Sequence, residues 1–92
     1  MLKTLEDLIA TIRQRKSSSD ASSYTAKLLK DKSLSVEKVK EEIGELVEAV
    51  ENNSNKVHEA ADVLYHLLVY LEANKIKIED VMQKLKRRKK FE

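Results

Sequence analysis

Glu59-Ala60-Ala61-Asp62-Val63-Leu64-Tyr65-His66-Leu67-Leu68-Val69-Tyr70-Leu71 is the stretch whose reading decides the fold. From Ala60 to Leu71 it is apolar on nearly every side, and a helix that is apolar all round is a buried one. Asn52-Asn53-Ser54-Asn55 is the clearest turn signal in the chain, so this helix is predicted to begin near Lys56. Ala73-Asn74-Lys75 ends it. Upstream of the turn, Val36, Val39, Ile43, Leu46, Val47 and Val50 recur at a helical period and read as a stripe facing the core. Ser35 looks like that helix's N-cap, with Glu37 in its first turn.

Further out the signals are shorter. Leu2, Leu5, Leu8, Ile9 and Ile12 mark a first amphipathic helix, interrupted by Ser17-Ser18-Ser19-Asp20. Ser22 or Ser23 can cap a short second helix carrying Tyr24, Leu28 and Leu29, broken by Asp31-Lys32-Ser33. A final helix shows Ile78, Val81, Met82 and Leu85 on one face, acids in its first turn and a Lys- and Arg-rich end. The expected fold is all-α, with four to five helices.

Composition agrees. The chain has 92 residues, no proline and one glycine, Gly44, whereas a β-rich fold spends both residue types on its many turns. Gly44 reads as a place where helices approach closely. With 37% charged and 41% apolar residues, the chain reads as amphipathic helices with salted surfaces. The absence of cysteine excludes disulfides and thiolate metal sites and fits a reducing cytoplasm. Four aromatic residues (Tyr24, Tyr65, Tyr70 and Phe91) are too few for a base-stacking platform, so no nucleic-acid partner is expected. No apolar run reaches the ~20 residues of a membrane span, and no signal-peptide pattern opens the chain; a soluble cytoplasmic protein is expected.

The net charge of +2 is unevenly placed. Residues 37–62 hold eight acids against three lysines, and residues 83–92 hold six bases against one acid. Solvated helix faces would explain this; so would a metal site flanked by anion-binding cations. Two spacings bear on the choice. Glu42 and Glu45 are three apart and share a helix face, with Glu42 about 60–80° from the middle of the apolar stripe. Glu59 and Asp62 repeat that spacing on the next helix, and His66 continues their face. Asp62 lies within an apolar run, where an unpaired carboxylate costs several kcal/mol.

With a short linker the two helices become antiparallel neighbours, and both pairs can face one point. Oxygen ligands select Mg²⁺, with Mn²⁺ an alternative. No second histidine is read in the stripe, which argues against a di-iron bundle. Such a cation suits phosphate chemistry, while the lack of a Gly-rich phosphate loop excludes a P-loop enzyme.

Glu41-Glu42-x-x-Glu45, thirteen residues, then Glu59-x-x-Asp62 resembles the signature of the all-α nucleoside-triphosphate pyrophosphatases, the MazG-like superfamily. Within it, Ser23-Tyr24-Thr25-Ala26-Lys27-Leu28-Leu29, Lys38-Val39-Lys40-Glu41-Glu42 and the segment Glu59 to Val69 resemble the phosphoribosyl-ATP pyrophosphohydrolase family. The chain departs from the family's usual glycines at Lys40 and near Lys32-Ser33.

The resemblance implies one domain over residues 1–92. It implies a MazG-like bundle completed by homodimerisation, and Mg²⁺-dependent hydrolysis of the α–β anhydride of phosphoribosyl-ATP. It assigns Glu42, Glu45, Glu59 and Asp62 as metal ligands and Glu41, Glu42 and Glu45 as catalytic, with Glu41 orienting or deprotonating the water. Tyr24, Lys27 and Lys38 become substrate contacts. Arg13, Arg15, Arg87 and Arg88 are phosphate partners or ordinary surface charge. His66 is either a partner of a carboxylate or, as favoured, a buried, hydrogen-bonded core residue, and Tyr65 and Tyr70 are read as core or interface. Two alternatives stay open: a house-cleaning nucleoside-triphosphate pyrophosphatase of the same superfamily, and a non-catalytic helical interaction module.

Overall fold

The computed structural model describes residues 2–17 and 23–88. Among them the chain forms α1 (Lys3–Lys16), α2 (Tyr24–Lys30), α3 (Lys32–Glu51), α4 (Lys56–Ala73) and α5 (Ile78–Arg87), with no strand. The all-α expectation holds. Of the predicted serine loop only Ser17 is described, and Ser22 and Phe91 also lie outside the described residues.

α3 and α4 make the most extensive pairing, α2 lies against α4, α1 packs on α2 and α4, and α5 leans on α4. The core sits among α1, α2 and α4. Leu28 and Val69 are fully buried there with Ile12, Leu29 and Ala73, and Leu8, Leu34, Tyr65 and Leu68 close around them. Each large apolar side chain buried this way contributes roughly 1.5–3 kcal/mol.

Two joints set the geometry of α2, α3 and α4. The first is a single residue. Asp31 ends α2 and caps α3, its side chain accepting the Leu34 N–H at 3.0 Å. This corrects the expectation that Ser35 caps α3: Ser35 is buried inside the helix, because α3 starts one turn earlier than its apolar stripe. Ser23 caps α2 as predicted, accepting the Ala26 N–H at 3.2 Å.

The second joint is the turn from Asn52 to Asn55. Asn53 adopts a left-handed φ of 52°, and the Ser54 N–H donates to the Ala49 carbonyl at 3.0 Å, closing the helix end. Asn55, also left-handed, is the N-cap of α4. Asparagine tolerates this conformation better than other non-glycine residues, which is how a chain with one glycine makes so tight a turn. Lys75 performs the same service after α4.

Three expectations about burial are corrected. Val39 is buried and Val36 and Leu46 half-buried, but Ile43, Val47 and Val50 of the same predicted core stripe are exposed, Val50 at 57%. α4 is not covered on every side: Leu64 is 52% exposed, and Leu67 is exposed as well. Gly44 is exposed, and a methyl group there would meet nothing within 4 Å, so it does not serve helix approach within the chain. The physical reason is shared. The small core lies on the α1–α2 side of α4, and among the described residues no element covers the exposed faces that α3 and α4 leave on the other side.

Candidate active site

The turn at 52–55 returns α4 alongside α3 and brings Glu42, Glu45 and Glu59 together, one carboxylate oxygen from each within 4.8 Å of the others. Glu42 and Glu59 are half-buried, and Oε2 of each is buried without a hydrogen-bond partner. A buried polar atom left unpaired costs about 1–3 kcal/mol, more when charged. Burial and the neighbouring carboxylates of Glu45, Asp62 and Glu59 push the Glu42 carboxyl up to about 7. Burial, then Glu45, raises Glu59. The cluster therefore calls for either a proton or a cation, and an all-oxygen donor set of this kind fits a hard divalent ion.

Asp62 joins this cluster through its charge, which acts on both Glu42 and Glu59. It also forms a second group with His58 and Glu59, again with one ligand atom each within 4.8 Å. His58 Nε2 stands 3.3 Å from Asp62 Oδ2. Sequence reasoning missed His58. The signal was there, since His58 precedes Asp62 by four residues and so shares its face. Beside the cluster a recess of about 310 Å³ opens, lined by Glu45, Glu48, Asn52, Ser54, Asn55 and Glu59.

His66 is the core histidine expected. Its Nδ1 lies 2.9 Å from the Asp62 backbone carbonyl, which can only accept, so Nδ1 carries the proton. Nε2 then accepts from the Tyr24 hydroxyl at 3.2 Å. Burial raises the Tyr24 pKa, keeping the phenol a donor. Tyr65 half-covers the same core and lies edge-on to His66.

Tyr24 and Lys38 both lie within electrostatic reach of Glu41 and Glu42, so two of the three predicted substrate residues flank the cluster. Lys38 is tied to Glu41 at 3.4 Å, which raises the lysine's pKa. Lys27 is exposed on α2, and among the described residues no ion pair joins it to the carboxylates.

Arg13 is engaged by acids away from the cluster. Its guanidinium grips Glu79 in two hydrogen bonds of 2.9 and 2.6 Å and lies 3.6 Å from Glu72. It ties α1 to α4 and α5, and it holds the Glu79 carboxyl at about 2. Arg15 and Arg87 are exposed near the ends of their helices, and Arg88 follows α5.

The family model described as phosphoribosyl-ATP pyrophosphohydrolase matches residues 5–89. The chain belongs to this family. A phosphoribosyl-ATP pyrophosphatase of Roseobacter denitrificans is 46% identical over 91 residues, covering 92% of this chain and 84% of the relative. One from Ruegeria pomeroyi is 45% identical over 93 residues, covering 95% and 86%. The histidine biosynthesis bifunctional protein HisIE of Pyrococcus furiosus is 39% identical over 92 residues; the match takes in 97% of this chain but 43% of that longer protein. In this member of the phosphoribosyl-ATP pyrophosphohydrolase family, the two carboxylate pairs lie in the halves of α3 and α4 that adjoin the joining turn.

Proposed function

We propose that the chain hydrolyses the α–β phosphoanhydride of phosphoribosyl-ATP, giving phosphoribosyl-AMP and pyrophosphate, the second step of histidine biosynthesis. The observation that carries this is the meeting of Glu42, Glu45 and Glu59, two of them with buried, unpartnered oxygens, in a chain of this family. Residues 1–92 act as one domain and work in the cytoplasm; among the described residues no helix is long and apolar enough to cross a membrane.

Glu42, Glu45, Glu59 and Asp62 hold Mg²⁺, with Mn²⁺ as the alternative. When bound, the cation supplies positive charge against the phosphate oxygens and the charge that develops on the leaving pyrophosphate. Glu41 orients the attacking water and takes its proton. The water oxygen bonds to phosphorus as the anhydride P–O bond breaks, and pyrophosphate departs. Tyr24, its hydroxyl fixed by His66, contacts the substrate with Lys38 and Lys27. Lys38 also pairs with Glu41 at 3.4 Å.

The test is to offer the purified protein phosphoribosyl-ATP and a panel of nucleoside triphosphates, with Mg²⁺ and with a chelator. Pyrophosphate release should need both phosphoribosyl-ATP and metal. Preference for a plain triphosphate would transfer the reading to a house-cleaning pyrophosphatase, and no metal-dependent release from any of them would overturn an enzymatic role.

We also propose that the chain works as a homodimer. Ile43, Val47 and Val50 form one exposed stripe on α3, and Val57, Leu64 and Leu67 another on α4. The radius of gyration is 14.4 Å, against roughly 12 Å for a compact domain of this length. A second copy would cover both stripes. Light scattering at micromolar concentration should give twice the 10.6 kDa of the chain; a monomeric mass would refute the dimer.

A further inference from the structure

His58 stands outside the ligand set just described, yet it shares the site. Its Nε2 is 3.3 Å from Asp62 Oδ2, and His58, Glu59 and Asp62 each offer an atom within 4.8 Å of the other two. Neighbouring ligands on a metal with bonds of about 2.1 Å lie ~3.0–3.4 Å apart, so the imidazole and the Asp62 carboxylate are already spaced as neighbouring ligands. Glu59 belongs to this group and to the Glu42–Glu45 group, and its buried Oε2 has no partner.

We propose that His58 is a nitrogen ligand at the rim of the carboxylate cluster and biases it from Mg²⁺ toward divalent transition metals. This rests on the reading of the carboxylates as a metal site. The chemistry is that of ligand preference. Mg²⁺ prefers oxygen and keeps much of its water, so an imidazole adds little to its binding. Affinity for nitrogen-containing sites rises from Mn²⁺ through Co²⁺ along the first transition row. The imidazole is 71% exposed on its side chain, so it can swing onto a cation without disturbing the core. An ordinary helix-surface pair between His58 and Asp62 predicts no such selectivity.

The experiment titrates the full chain, without substrate, with Co²⁺ and separately with Mg²⁺. Calorimetry gives the affinities, and the visible absorption of Co²⁺ reports its ligands. His58→Gln should weaken Co²⁺ about tenfold and move its absorption band, while leaving Mg²⁺ affinity and the helical circular dichroism unchanged. Mn²⁺ should lose less than Co²⁺. Unchanged Co²⁺ affinity and band in His58→Gln would overturn the proposal, even with Mg²⁺ binding intact. Failure of wild-type protein to bind any of these ions would instead overturn the carboxylate site itself, and the role of His58 with it.

Discussion

Glu42→Gln should lower pyrophosphate release from phosphoribosyl-ATP by about a hundredfold or more, while the metal-free protein melts no lower than wild type. The two halves of this result have one cause. Oε2 of Glu42 is buried without a partner, and the carboxyl is pushed up to about 7 by burial and by the charges of Glu45, Asp62 and Glu59. The negative charge is thus held at a site that resists it, and a cation is what such a site can hold. An amide of the same shape removes both the repulsion and the ligand. A pyrophosphate assay and a thermal melt in chelator check the two halves separately. Undiminished turnover would remove Glu42 from the ligand set, and a large drop in melting temperature would recast it as a packing residue.

Mg²⁺ should raise the melting temperature at pH 8 on the order of 10 °C when present at a hundredfold over its Kd, where binding contributes about 2.7 kcal/mol. The pH matters, and its sign follows from the carboxyls. Glu42 titrates at about 7 in the fold against an ordinary 4.5. Between those values the folded chain binds more protons than the unfolded one, so metal-free stability falls as pH rises from 4.5 through 7. Glu59 is raised too and adds in the same direction. Glu79 acts at the other end. Held at about 2 by Arg13, it gives a small stabilisation above pH 4.5 that is lost as pH falls toward 2. Melts in chelator should therefore show lower stability at pH 8 than at pH 5, and Mg²⁺ should help more at pH 8, where no proton competes for the cluster. A melting temperature indifferent to Mg²⁺ at pH 8 would contradict the metal site.

Much of this was legible in the residues, and the exceptions have physical reasons. A helical period reports which face of a helix is apolar; it does not report what covers that face. Ile43, Val47 and Val50 do share one face, but the core lies among α1, α2 and α4 and leaves that part of α3 exposed. Cap residues are ambiguous when several stand together. Asp31 and Ser35 are both good N-caps, and the choice was made by the lack of any spare residue between α2 and α3. The meeting of Glu42 with Glu59 followed from spacing plus a short turn. His58 escaped because it lies outside the apolar run, so attention to burial favoured His66, whose bond is to the Asp62 backbone and not to its carboxylate.

The turn between α3 and α4 has a further consequence for which changes the chain tolerates. None of its four residues is idle: Asn52 ends one helix, Asn53 takes the left-handed bend, Ser54 ties back to Ala49, and Asn55 opens the next helix. The count from the turn to Glu59 is equally tight: one residue inserted into α4 ahead of Glu59 would shift it by about 1.5 Å along the helix relative to the turn and by about 100° around the axis. Glu59 would then face away from Glu42 and Glu45. The segment behaves as a length gauge: substitutions that keep its two left-handed positions are admissible, but a change in residue count rebuilds the joint that brings the carboxylates of α3 and α4 together.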